Sequence, residues 1–218
     1  MKENPIIFSG PMIKAILEDR KNQTRRVVKK IPCDCGDTNW IPKEISKTTP
    51  EGWQTVGHSG KWSCDCCMYD SVKSPYQVGM KLWVRETWRF WEDPNDGHDF
   101  VEYRAGGKMS FPNIDHLKYP GDPFNGKWKP SIFMPRWASR ITLKVTGILV
   151  ERLQNISEED CIAEGSQILC AELPKSCQQA TMTEKTQFSR IWDSINGKKY
   201  PWKDNPFVWV IEFKMTNP

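Results

Sequence analysis

Apolar residues recur at helical spacing in two stretches of the chain and alternate at period two in several others. Met12, Ile13, Ile16 and Leu17 share one helical face. Ser9 stands ahead of them as N-cap and Pro11 falls in the first turn, so the pattern predicts a helix ending near Asp19. Short strands are predicted over 5–8 and 24–28. In the second of these, Thr24, Arg26 and Val28 lie on one face and Arg25 and Val27 on the other. Leu82, Val84, Glu86 and Trp88 alternate with Trp83, Arg85 and Thr87, which predicts one strong strand over 81–88. A short strand is expected over 100–104. Residues 139–153 alternate with a break at Gly147, which reads as a bulge or bend in one long strand or two. Ser157 to Asp160 has the outline of a capping box and opens a helix that stops at Gly165. Phe188, Ile191, Trp192 and Ile195 fall at i, i+3, i+4 and i+7, with Gly197 at the stop, so a helix is predicted over 183–196. Residues 207–214 are apolar on both faces apart from Glu212, the mark of a central strand.

Two regions lose this periodicity: a Cys-rich insertion at about 31–77 and a loop-rich insertion at about 91–127. The order of elements predicts a mainly β, α+β protein. It is read as one domain over 1–218, a small closed β-barrel with helices packed outside it and long loop insertions. Hydrophobic residues at 38% and charged residues at 27% fit a globular chain rather than a disordered one. No apolar run is long enough to span a bilayer and the N-terminus has no signal-peptide pattern, so the expectation is a cytoplasmic protein with no membrane partner. The net charge of +4 permits a nucleic-acid partner without demanding one. The basic residues are clustered: Arg20 and Lys21, Arg25 and Arg26, Lys29 and Lys30. Eleven Trp point to heavy core use or to base-stacking surfaces.

In the reducing cytoplasm the eight Cys are free thiols, metal ligands or redox groups rather than disulfides. Cys33, Cys35, Cys64 and Cys67 form two clusters in a stretch too poor in apolar residues to fold alone. Such a quartet suits a structural zinc, with His58 as a spare ligand. Cys64 and Cys67 have the usual Cys-x-x-Cys gap, whereas Cys33 and Cys35 are spaced more tightly. Loosely paired or free thiols are the alternative.

Three segments together resemble the ASCH family, a branch of the PUA-like superfamily. The first is Ala15-Ile16-Leu17-Glu18-Asp19-Arg20-Lys21-Asn22-Gln23-Thr24-Arg25-Arg26, similar to the family's helix-to-strand signature, with Asp19 where the family usually places Gly. The second is Val78-Gly79-Met80-Lys81-Leu82-Trp83-Val84-Arg85-Glu86-Thr87-Trp88, similar to its strand entry, with Met80 replacing the usual Asp. The third is the closing strand Val208-Trp209-Val210-Ile211-Glu212-Phe213. The runs Trp128-Lys129-Pro130-Ser131-Ile132 and Met134-Pro135-Arg136-Trp137-Ala138-Ser139-Arg140 are closest to longer ASCH proteins of phages and prophages. The resemblance implies a PUA-like barrel and a role with RNA or a modified nucleoside. Small bacterial members include amidohydrolases that remove the acetyl group from N4-acetylcytidine. Their Lys, Thr and Glu match Lys21, Thr24 and Glu164 here, with no cofactor required.

That set is chemically coherent. A Thr hydroxyl needs a base to take its proton, and a Lys amine serves only if burial or a neighbouring cation lowers its pKa. A carboxylic acid can protonate the leaving amine or orient water. Arg25, Arg26, Arg85, Glu86, Trp88, Arg136 and Arg140 form a candidate binding group. Guanidinium forks suit phosphates and base edges, Glu accepts from a cytosine amino group, and Trp stacks on bases. An ion pair between Arg26 and Glu86 is the structural alternative for that group. A non-catalytic RNA-binding module is the competing function. A ribonuclease fits less well, because only three His occur and all fall in predicted loops. Protein purified under reducing conditions is expected to carry about one equivalent of zinc, and a chelator should loosen the insertion without unfolding the barrel. Elemental analysis finding no metal would remove the zinc centre.

Overall fold

The computed structural model describes residues 3–28, 74–92, 99–111, 126–166 and 182–216. The protein is mixed α+β and mainly sheet. Its strands are β1 (Glu3–Ile7), β2 (Gln23–Val27), β3 (Lys81–Arg85), β4 (Trp88–Glu92), β5 (Asp99–Tyr103), β6 (Lys108–Phe111), β7 (Thr142–Arg152) and β8 (Phe207–Thr216). Its α-helices are α1 (Gly10–Leu17), α2 (Glu158–Ala163) and α3 (Glu184–Asn196). One sheet has the strand order β1-β3-β7-β8-β2 and the other β4-β5-β6. Among the described residues no ladder joins β1 to β2, so the larger sheet stays open rather than closing as a barrel. No described helix is long and apolar enough to cross a membrane.

Contacts divide the chain into two compact units. The first comprises Met1–Arg20, Lys81–Leu143 and Met215–Pro218. Here β1 pairs in parallel with β3, with Ile6 opposite Val84. Ile6, Phe8, Ile13, Ala15, Ile16, Leu82 and Val84 are buried, as the period-two and helical patterns require. Ser9 takes the N-cap position in extended conformation, though its hydroxyl makes no capping bond. The single strand expected over 81–88 is instead two strands separated at Glu86 and Thr87. The break falls where Glu86 turns a buried carboxylate toward Arg140.

Beyond that break β4 joins β5 and β6 in an antiparallel sheet: β5 matches the strand expected over 100–104, and β6 is a strand the loop-rich reading did not expect. One face of this sheet packs Trp88, Phe90, Val101 and Tyr103 against Met134 and Ala138. The β5–β6 turn carries Gly107 at φ +91°, where a side chain is disfavoured. A Cβ there would also collide with the Arg140 guanidinium.

The second unit comprises Lys21–Met80 and Lys144–Lys214. β2 runs antiparallel to β8, with Arg25 opposite Val210 and Thr24 opposite Ile211. As expected for a central strand, β8 lies between two neighbours and buries Phe207 to Ile211. Helices α2 and α3 bring Cys161, Phe188 and Trp192 against Val208 and Val210. Ile195, expected on that buried face, is 58% exposed. β7 runs as one strand through Gly147, and the parity of its buried positions changes just after it: Leu143, Val145 and Gly147 are buried and then Val150. The glycine also makes room: a Cβ would sit on the Glu212 carboxylate.

The turn out of α1 uses Asp19 at φ +55°, a left-handed conformation in which the Arg20 N–H reaches back to the Ala15 carbonyl at 2.8 Å. Left-handed backbone is costly for residues with a Cβ, less so for Asp. Asp19→Gly is therefore expected to hold or raise the melting temperature, whereas Asp19→Val should lower stability by about 1 kcal/mol. Urea unfolding of both variants checks this.

Candidate active site

The second unit holds a cluster of buried charge built on the start of β2 and the end of α2. Ser157 caps α2 by accepting from the Asp160 N–H at 3.0 Å. Glu158, Glu159 and Asp160 then fill the first turn, where the helix dipole favours negative charge. Six residues later the helix ends with Glu164 at its C-cap. The Asn22 N–H donates to the Ala163 carbonyl at 3.1 Å, and the Phe213 N–H to the Asn22 carbonyl at 2.9 Å. These two bonds hold the residue after Lys21 between the end of α2 and strand β8.

Lys21 Nζ donates to Glu164 Oε2 and to the Glu164 carbonyl, each at 2.7 Å. The Lys21 side chain is 0% exposed. The other Glu164 oxygen, Oε1, accepts from Arg25 Nη1 at 3.2 Å. Arg25 also donates from Nε to Glu151 Oε1 at 2.9 Å and from Nη2 to Asp160 Oδ2 at 3.1 Å. Gln23 Nε2 donates to Asp160 Oδ1 at 2.9 Å. The carboxylate of Glu164 is thus shared, with one oxygen on the ammonium and the other on the guanidinium.

Burial drives the Lys21 pKa down from its ordinary value. Glu164 opposes that shift, and the positive charges of Arg26 and Arg25 reinforce it. The Arg25 guanidinium also suffers from burial, but Glu164, Glu151 and Asp160 outweigh this and raise its pKa, so it stays charged. Burial raises the Glu151 pKa; Arg25 opposes the shift, and Asp160 and Glu164 add to it. Two basic side chains here face three carboxyl groups, and burial pushes the Glu151 pKa up and the Lys21 pKa down.

Sequence reasoning singled out Lys21, Thr24 and Glu164, and the structure brings the first and third together. Thr24 is buried but follows the strand alternation, so its side chain leaves β2 on the face opposite Arg25. No hydrogen-bond partner stands beside its hydroxyl among the described residues. Arg26 shares the Thr24 face and bears on Lys21 more strongly than Arg25 does, so the ammonium feels cations from both faces of the strand. Tyr76, raised by burial and opposed by Arg26, belongs to the same surroundings. It stood at the edge of the aperiodic insertion and carried no pattern that would have found it. Glu151 and Asp160 were also missed. Glu151 lies on the parity of Leu149 at the end of a buried strand, which is the signal that could have found it.

The remaining candidates go elsewhere. Glu86 is bound in a two-point contact by Arg140, at 2.9 Å from Nε and from Nη2. The structural alternative for this group named Arg26 as the partner of Glu86; the guanidinium that holds Glu86 in two-point contact within its unit is that of Arg140. Arg140 lies over the Tyr103 ring at 4.1 Å, and burial raises the Glu86 pKa against the pull of Arg140. Trp88 is a core residue in edge contact with Trp137. Arg85 stacks on Trp83, and Arg136 pairs at the surface with Glu3 at 2.7 Å. Cys33, Cys35, Cys64 and Cys67 lie outside the described residues, as does His58. Among the described residues no group of His, Cys, Asp and Glu could hold a metal ion. Comparison with protein-family models, with curated proteins and with solved structures returns no match.

The Arg25 side chain is 1% exposed and holds three carboxyl groups. Removing it strands buried negative charge, so Arg25→Ala is expected to destabilise the protein by about 3–5 kcal/mol in urea unfolding. A loss below about 1 kcal/mol would mean that the cluster is far better solvated than its burial indicates.

Proposed function

We propose that this chain is an ASCH-type, PUA-like protein of the bacterial or phage-infected cytoplasm that hydrolyses the amide of a modified nucleoside, N4-acetylcytidine or a related acylated base. The observation that carries this reading is the fully buried Lys21 ammonium held by Glu164 at 2.7 Å, with its pKa lowered by burial. A surface ion pair would have no reason to depress a lysine, whereas a general base requires it. The left-handed backbone at Asp19 adds support, since the family usually places Gly there.

In this reading neutral Lys21 takes a proton from water as the water oxygen attacks the acetyl carbon. The C–N bond of the resulting adduct then breaks, the leaving N4 receives that proton from the Lys21–Glu164 pair, and acetate is released. Thr24, on the other face of β2 from Arg25, is left out of these steps. Glu164 stabilises the Lys21 ammonium formed as the water is deprotonated. Arg25 keeps Glu164 turned toward Lys21, and for that reason it is a positioning group here rather than a phosphate ligand. No cofactor enters these steps.

The wild type should release acetate from N4-acetylcytidine, and Lys21→Ala should abolish release while the protein stays folded by circular dichroism. The active form is the neutral amine. The rate should therefore rise with pH up to a point below the ordinary lysine value of about 10.5. Because Glu164 holds that pKa up, Glu164→Gln should move the rise to lower pH. A wild type that releases no acetate, yet binds RNA with a salt-dependent affinity, would replace this reading with a non-catalytic RNA-binding module.

A further inference from the structure

The small sheet of the first unit has two unlike faces. Its inner face is the apolar cluster of Trp88, Phe90, Val101 and Tyr103. The alternate residues point the other way, and an antiparallel sheet with one face to solvent ordinarily carries polar side chains there. Here the pairing places Trp91 opposite Phe100 and Arg89 opposite Glu102 on the outward face. The Trp91 and Phe100 rings lie 5.6 Å apart and are tilted by only 31°. Lys108, from β6, lies over the Trp91 ring at 4.7 Å. Trp128 reaches the same face because a bridge between Trp88 and Lys129 holds its segment along β4. Trp128 is 41% exposed, and its ring lies beneath the Arg89 guanidinium, 4.8 Å from the ring centre.

Two features say what such a face takes. Flat rings left partly open beside cations offer stacking and a nearby positive charge together, which is what unpaired bases on a phosphate backbone require. The chain around Trp128 is also one-signed: residues 123–150 contain Lys127, Lys129, Arg136, Arg140 and Lys144 and no Asp or Glu. Glu102 is the acid on the outward face, and it ties down Arg89 at 2.6 Å instead of opposing a ligand alone. A protein partner would be served as well by aliphatic residues. Tilted aromatic rings topped by Arg and Lys favour bases and phosphates.

We propose that the outward face of β4-β5-β6, with Trp128, is a stacking surface for single-stranded RNA, bases lying on Trp128 and on the Trp91–Phe100 pair with Lys108 and Arg89 reaching the phosphates. This deepens the function proposed above and rests on it for the substrate: the acylated base is then carried in an RNA strand rather than as a free nucleoside.

The test is fluorescence anisotropy with a labelled 12-nucleotide oligouridine RNA, alongside hydrolysis of free N4-acetylcytidine. The wild type should bind in the micromolar range, more weakly as salt rises. Trp128→Ala and, separately, the exposed-residue change Lys108→Glu should each weaken binding by about tenfold. Both should leave nucleoside hydrolysis unchanged, since neither residue belongs to the Lys21 cluster. Wild-type affinity in both variants would overturn the surface, as would a wild type that does not bind the RNA. A wild type that self-associates through this face, losing its dimer in Trp128→Ala without any RNA effect, would also overturn it. RNA binding lost in the variants, with no hydrolysis by any form, would keep the surface and remove the hydrolase reading alone.

Discussion

A lysine side chain wholly removed from water is the constraint around which the second unit is arranged. An isolated buried ammonium is too costly to keep, so it must be neutralised, paired or both. Glu164 supplies the pairing twice over, through its carboxylate and its own carbonyl, and it can do so only because α2 stops there. That pairing brings a second buried charge, whose free oxygen Arg25 satisfies. Arg25 in turn requires Glu151 from β7 and Asp160 from α2. One buried cation thus recruits a helix terminus and two strands, and each link exists because the previous group would otherwise be unpaired.

The fold was legible where one physical rule acted alone. Alternation located β2 and β7, and a run apolar on both faces located β8. The Ser157 cap located α2, and the i, i+3, i+4 positions of α3 found Phe188, Ile191 and Trp192 in the core. It was not legible where a tertiary contact overrode the local pattern. Residues 81–88 alternate without interruption, yet the ladder breaks because Glu86 must reach Arg140. The reason for glycine at 147 was hidden too, because the volume of Glu212, on another strand, is invisible in one sequence. Of the sheet β4-β5-β6 the middle strand was expected, over 100–104, while the extent of β4 and the presence of β6 were not; the outward face carries aromatic residues, which blurs the alternation a half-exposed strand should show.

The site divides in the same way. Lys21 and Glu164 were singled out through a resemblance, and the two side chains meet across 143 residues of chain. Parity alone put Arg25 and Arg26 on opposite faces of β2, and that holds. What parity could not give is which face receives the acids. Three carboxyl groups converge on Arg25, so a residue expected to bind phosphate is instead internal. Arg140, Glu86 and Arg136 are likewise engaged with protein partners, which shifts the nucleic-acid question from arginine forks to exposed rings.

The central claim is that Lys21 gives up its proton more readily than an ordinary lysine, because it is buried, rather than serving as a permanently charged strut. Titration of the Lys21 ε-nitrogen by NMR, on protein labelled with nitrogen-15 lysine and assigned through Lys21→Arg, measures this directly. The account predicts a pKa below the ordinary 10.5 or so, and a further drop in Glu164→Gln, because the carboxylate is what holds the proton on. A Lys21 that titrates at or above the ordinary lysine value would contradict it and make the pair a structural salt bridge.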